Sequence, residues 1–172
     1  MKKNIAALAI ITALFATTAQ AADGTINFTG NITDDTCDVS AASSAQNVNL
    51  GTIGSDSFAA GAGTTSAATG FSVVLSSCPA SHTNVAVKFD GLPDGGNPAV
   101  LALTNTGTNA QGVGIQLRDN DGTPLSLFAD SKPVAINAGN ATLNFSAAYV
   151  ATAATVSAGD ANSTANFTVV YN

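Results

Sequence analysis

Apolar residues fall on every second position in run after run of this sequence, and helical spacing is almost absent. Val113-x-Ile115-x-Leu117, Leu143-x-Phe145-x-Ala147 and Phe167-x-Val169-x-Tyr171 are the cleanest runs. An extended chain turns alternate side chains to opposite faces, so each run predicts a strand with one buried face. Phe71, Val73 and Leu75 form a further stripe, as do Val85, Val87 and Phe89. Leu101 with Leu103 and Leu125 with Leu127 give shorter ones, and Val48 and Leu50 open another segment that ends near Ile53. Gly, Asn, Asp and Pro separate the runs, as in Asp90-Gly91 and Asn120-Asp121-Gly122, which predicts turns between short strands. Strands at this spacing read as one all-β domain, an antiparallel sandwich. Residues 55–69 are rich in Gly, Ala, Ser and Thr and predict an exposed loop.

The first 21 residues carry the marks of an export signal. Lys2 and Lys3 precede an apolar run from Ile5 to Phe15, and Ala19-Gln20-Ala21 closes it with an A-x-A cleavage pattern. The run is shorter than the ~20 residues that a membrane span needs. Export predicts an oxidising environment, so the single pair Cys37 and Cys78 is expected to form a disulfide. Closing that loop stabilises a fold by roughly 4 kcal/mol on the chain-entropy model. Two cysteines with no histidine cluster do not make a zinc site.

Charge excludes one large class of partners. Beyond the signal, Lys88, Arg118 and Lys132 stand against eleven Asp and no Glu, leaving the processed chain at −8. No basic cluster exists to bind phosphates, so nucleic acid is not expected as a partner. Catalysis is not expected either. His82 is the sole histidine and falls in a polar loop after Cys78-Pro79. No nucleophile-elbow motif accompanies it. Asp34-Asp35 lies in a turn, and the loop from Asp119 to Gly122 lacks the terminal Glu of a calcium-binding hand, so it reads as a hairpin. No cofactor and no metal are expected.

Both ends of the processed chain carry an alternating stripe. Near the start, Ile26, Phe28, Gly30 and Ile32 share one face of an extended segment. Burying the three large side chains stabilises a contact by about 5–9 kcal/mol. The glycine in the stripe suits a close approach by another backbone or side chain. Taken alone, the segment reads either as an ordinary first strand or as a strand meant for another molecule. At the other end, Ala165, Phe167, Val169 and Tyr171 share a face, and the carboxylate of Asn172 is available to a cationic partner.

These residues resemble the structural pilins of the chaperone–usher family, the type 1 and P fimbrial subunits. The resemblance spans the processed chain in order. It runs from the glycine-bearing stripe through Cys37, Val48-Asn49-Leu50-Gly51 and Phe71-Ser72-Val73-Val74-Leu75 to Cys78. It continues with Gly112-Val113-Gly114-Ile115-Gln116-Leu117, Tyr149-Val150-Ala151-Thr152, Gly159 and Phe167-Thr168-Val169-Val170-Tyr171. The resemblance implies an immunoglobulin-like β-sandwich that lacks its seventh strand and is completed by donor-strand complementation. It also implies a division into signal peptide 1–21, donor extension 22–36 and pilin domain 37–172. In such a subunit Ile26, Phe28, Gly30 and Ile32 of one copy enter the groove of its neighbour. Ala165, Phe167, Val169, Tyr171 and Asn172 form the groove edge and the chaperone contact.

The implied partners are a periplasmic pilus chaperone, an outer-membrane usher and neighbouring pilin subunits. A host receptor would meet the whole fibre at the bacterial surface. The extension before Cys37 is short, which resembles minor or P-type subunits. The alternative is therefore a minor or tip-associated subunit that binds a carbohydrate receptor directly, through a loop such as 55–69.

Overall fold

The computed structural model describes residues 24–32, 35–95 and 97–171. The expected signal peptide lies outside them. The chain divides into two units, Met1–Ile32 and Thr33–Asn172. In the first, the described residues form neither helix nor strand. Its large apolar side chains are almost bare: Ile26 is 79%, Phe28 92% and Ile32 98% exposed.

The second unit is a two-sheet sandwich. Its strands, in chain order, are β1 (Asp38–Val39), β2 (Thr69–Ser76), β3 (Asn84–Asp90), β4 (Pro93–Asp94) and β5 (Asn97–Leu101). They continue with β6 (Val113–Arg118), β7 (Pro124–Leu125), β8 (Val134–Ala135), β9 (Ala141–Ala151) and β10 (Asn166–Tyr171). The larger sheet runs β1-β2-β9-β6-β5-β4, with β7 also on β6. The smaller runs β10-β3-β8, and every named pairing is antiparallel.

The alternation decides what is inside. In β9, Ala141, Leu143, Phe145 and Ala147 are buried while Thr142 and Asn144 are exposed. Val73 and Leu75 of β2 lie opposite Leu143 and Ala141, so the same face of both strands is apolar. Val85, Val87 and Phe89 supply the facing layer from β3. Phe89 meets Phe145 edge-on, with ring centroids 5.1 Å apart, and Phe71 lies 5.6 Å from Phe145. Cys37 and Cys78 are joined in a disulfide and buried, tying the start of the domain to the end of β2.

Two expectations need correction. The segment from Val48 to Ile53 forms no strand; it is irregular chain with Val48, Leu50 and Ile53 half-buried. Nor are residues 55–69 a free loop. Ser55–Phe58 is a turn of 3-10 helix that buries Phe58, and Thr69 already belongs to β2. Gly63, Thr64 and Ser66 bond through their backbones to Ala151 and Tyr149, so this stretch runs along the end of β9. Small residues suit it because it must pass close to a strand already packed on its other face.

Candidate functional site

The smaller sheet is open on one side. β10 pairs with β3 in an unbroken register from Asn166↔Asp90 to Tyr171↔Val85. Among the described residues no strand pairs with its other edge. A sheet edge of six residues leaves backbone donors and acceptors ready to pair with an added strand.

Beside that edge lies a groove of about 990 Å³. Ala165, Phe167 and Val169 form one wall. The lining also takes in Val39, the end of the short helix Ala41–Ser44 and the irregular chain from Ala45 to Gly51. The lining reaches the core at Phe71, which is half-buried, and at Phe89, Leu101, Ile115 and Leu117, which are buried. Phe167 stands 6.5 Å from Phe89 and Phe71 stands 6.0 Å from Phe89, so an aromatic row crosses it. An elongated apolar trench beside an unpaired strand edge fits an extended peptide that supplies alternate apolar side chains.

The far wall is held by side chains rather than by strand pairing. Ser40 caps the short helix Ala41–Ser44, and the Ser43 hydroxyl accepts the Val74 backbone N–H at 2.9 Å. The Gln46 side-chain amide donates to the Ser72 carbonyl. Tyr149 closes one end of the groove and donates its hydroxyl to the Ala161 carbonyl at 3.0 Å. Burial pushes that phenol above its ordinary pKa.

The C-terminal stripe splits in two. Ala165, Phe167 and Val169 lie together on the groove. Tyr171 instead reaches the base of the domain, where its hydroxyl accepts the Cys37 backbone N–H at 2.8 Å. Its ring stacks on His82 at 4.7 Å, and the His82 Nε2 bonds to the Asp35 carbonyl at 3.0 Å. His82 thus braces the point where residues 35–37 enter the fold, a structural task that its isolated place in the sequence did not signal. Asn172 lies outside the described residues.

Two lysines are engaged locally. Lys88 pairs with Asp130 at 3.2 Å and Lys132 with Asp121. The Lys132 ammonium, with the hydroxyl and backbone N–H of Thr123, holds the Asp121 carboxyl well below its usual range. Asp119 accepts the Lys132 and Asn120 backbone N–H groups, and the Gly122 N–H donates to its carbonyl at 2.9 Å, closing the expected hairpin.

Comparison with known proteins agrees with this geometry. The family model for fimbrial proteins matches residues 26–172, so the match begins at the first residue of the N-terminal stripe. A type-1 fimbrial protein subunit of Serratia marcescens is 37% identical over 182 residues, covering 99% of both chains. The crystal structure of a type I fimbria protein of Burkholderia pseudomallei is 44% identical, with a TM-score of 0.62 over 86% of this chain and 97% of that one. The P pilus rod subunit PapA shares the fold at 20% identity, with a TM-score of 0.66 over 79% of this chain and 99% of that one. The chain belongs to the fimbrial protein family, the family of the chaperone–usher pilins that its residues resemble.

Proposed function

We propose that this chain is a structural subunit of a chaperone–usher fimbria and polymerises by donor-strand exchange. The observation that carries the reading is the pairing of an apolar trench along the free edge of β10 with a bare apolar stripe at Ile26, Phe28 and Ile32. The same chain holds both halves of a β-strand addition, one to give and one to receive.

The fold supports one direction of insertion over the other. Residues 35–37 lie at the Tyr171 end of β10. A neighbour inserting its stripe from that same end would allow two copies to exchange strands and close as a dimer. Entry from the Asn166 end, antiparallel to β10, leaves the assembly with one open groove at one end and one free stripe at the other, so growth stays open and makes a filament.

The free energy for growth comes from completing the fold. The incoming stripe contributes about 5–9 kcal/mol of apolar burial. Each main-chain hydrogen bond along β10 adds about 0.5–1.5 kcal/mol. No nucleotide is required. An unfilled groove is prone to aggregation, so a periplasmic chaperone covers it. Residues 1–21 direct export, and an outer-membrane usher passes the subunits to the bacterial surface.

Gly30→Leu tests the reading. Gly30 has nothing within 4 Å of where its Cβ would sit, so the substitution leaves its own domain untouched. The variant co-expressed with chaperone is expected to yield the same amount of soluble complex as wild type. Electron microscopy is expected to find no fibres. Fibres of normal length and yield would sink the donor-strand reading.

A further inference from the structure

We propose that Leu92 and Phe128 form a seat for the disulfide-bearing end of the next copy of this chain. The proposal rests on the donor-strand reading and deepens it by naming a second contact between consecutive copies.

Leu92 is 70% and Phe128 52% exposed, the most exposed large apolar side chains described after the N-terminal stripe. Phe128 also holds a left-handed backbone, with φ 66°. A bulky side chain rarely adopts that conformation, and such strain gathers where a surface has work to do. It is kept by the Phe128 backbone N–H, which donates to the Phe89 carbonyl at 2.8 Å.

Both residues lie at the end of the sandwich where the groove opens toward Asn166. Phe89 and Asp90 are the register partners of Phe167 and Asn166. Gly91 packs against Leu101 and the Thr164 carbonyl, and the Leu92 carbonyl accepts the Ala102 N–H at 2.7 Å. Leu101 and Thr164 line the groove itself, so the apolar pair continues its rim.

The length of the connecting chain fixes what must come to rest there. A copy whose stripe enters from the Asn166 end has only the links from Ile32 to Cys37 before its own domain begins. Fully extended, that connection reaches at most about 18 Å. The incoming domain is therefore held against this end, base first. Its base is the region around Cys37 and Cys78, where the Cys78 N–H donates to the Gly139 carbonyl at 2.9 Å. Ala80 and Ala138 are exposed there and Pro79 is half-buried, small apolar groups suited to Leu92 and Phe128, with Asp35 and Asp38 exposed on the Cys37 side.

Carbene footprinting of short head-to-tail oligomers tests this, with the monomer complemented by a peptide of residues 22–32 as reference. The peptide fills the groove and brings no second domain. Labelling of Leu92 and Phe128 is expected to fall roughly threefold or more in the covered copies, as for residues in an interface core. Ile26, Phe28 and Ile32 are expected to be protected in the same oligomers. Protection of the stripe with undiminished labelling of Leu92 and Phe128 overturns the seat alone. An unprotected stripe overturns the donor-strand reading and the seat with it.

Discussion

Gly159 occupies a place where no side chain fits. A Cβ there would stand 2.4 Å from the Ala110 nitrogen and 2.5 Å from the Asn109 carbonyl carbon, both backbone atoms that cannot swing aside. Gly159→Ala is therefore expected to cost about 1–3 kcal/mol, read as a lower urea midpoint for the peptide-complemented domain. Tyr171 gives a milder case. Tyr171→Phe keeps the ring beside His82 but leaves the Cys37 N–H without its 2.8 Å acceptor. A loss of about 1 kcal/mol is expected in the same measurement. No loss at all would mean that water replaces the hydroxyl at no cost. The sequence placed Tyr171 on the groove face with Phe167 and Val169, and period two could say no more. Its length lets the hydroxyl leave that face for the base of the domain, and no pattern of apolar positions carries such information.

At the scale of elements, β2, β3, β6, β9 and β10 were legible because large apolar residues fall on every second position in each. β1, β4, β7 and β8 are only two residues long, and their pairing with neighbours defines them rather than their own composition. Residues 63–66 follow β9 through backbone bonds, for which small residues give no alternating signal. The far wall of the groove from Ala45 to Gly51 is irregular, and Val48 and Leu50 within it were misread as the start of a strand. The stripe itself was plain, but period two could not say whether it serves its own fold or a neighbour's, since first strands and donor strands alternate alike. Its energetics can be measured on a peptide. Phe28→Ala in a peptide of residues 22–32 is expected to weaken complementation by about 1.5–3 kcal/mol, roughly 10- to 150-fold in affinity. An unchanged affinity would remove Phe28 from the groove contact.

The second unit is a sandwich in which, among the described residues, the six of β10 keep one edge unpaired beside a groove of about 990 Å³. Its disulfide ties the start of that unit to the end of β2, and the low charge of the chain leaves the apolar and backbone contacts to decide association. On the proposed reading, a chain built this way is unfinished alone and finished by a copy of itself. That reading is tested most directly by following the chain from residue 22 onward by size-exclusion chromatography, with and without an excess of a peptide of residues 22–32. Without peptide the chain is expected to polymerise or aggregate, and with peptide to elute as a stable monomer. A stable monomer from the unaided chain, unchanged when the peptide is added, would contradict the account.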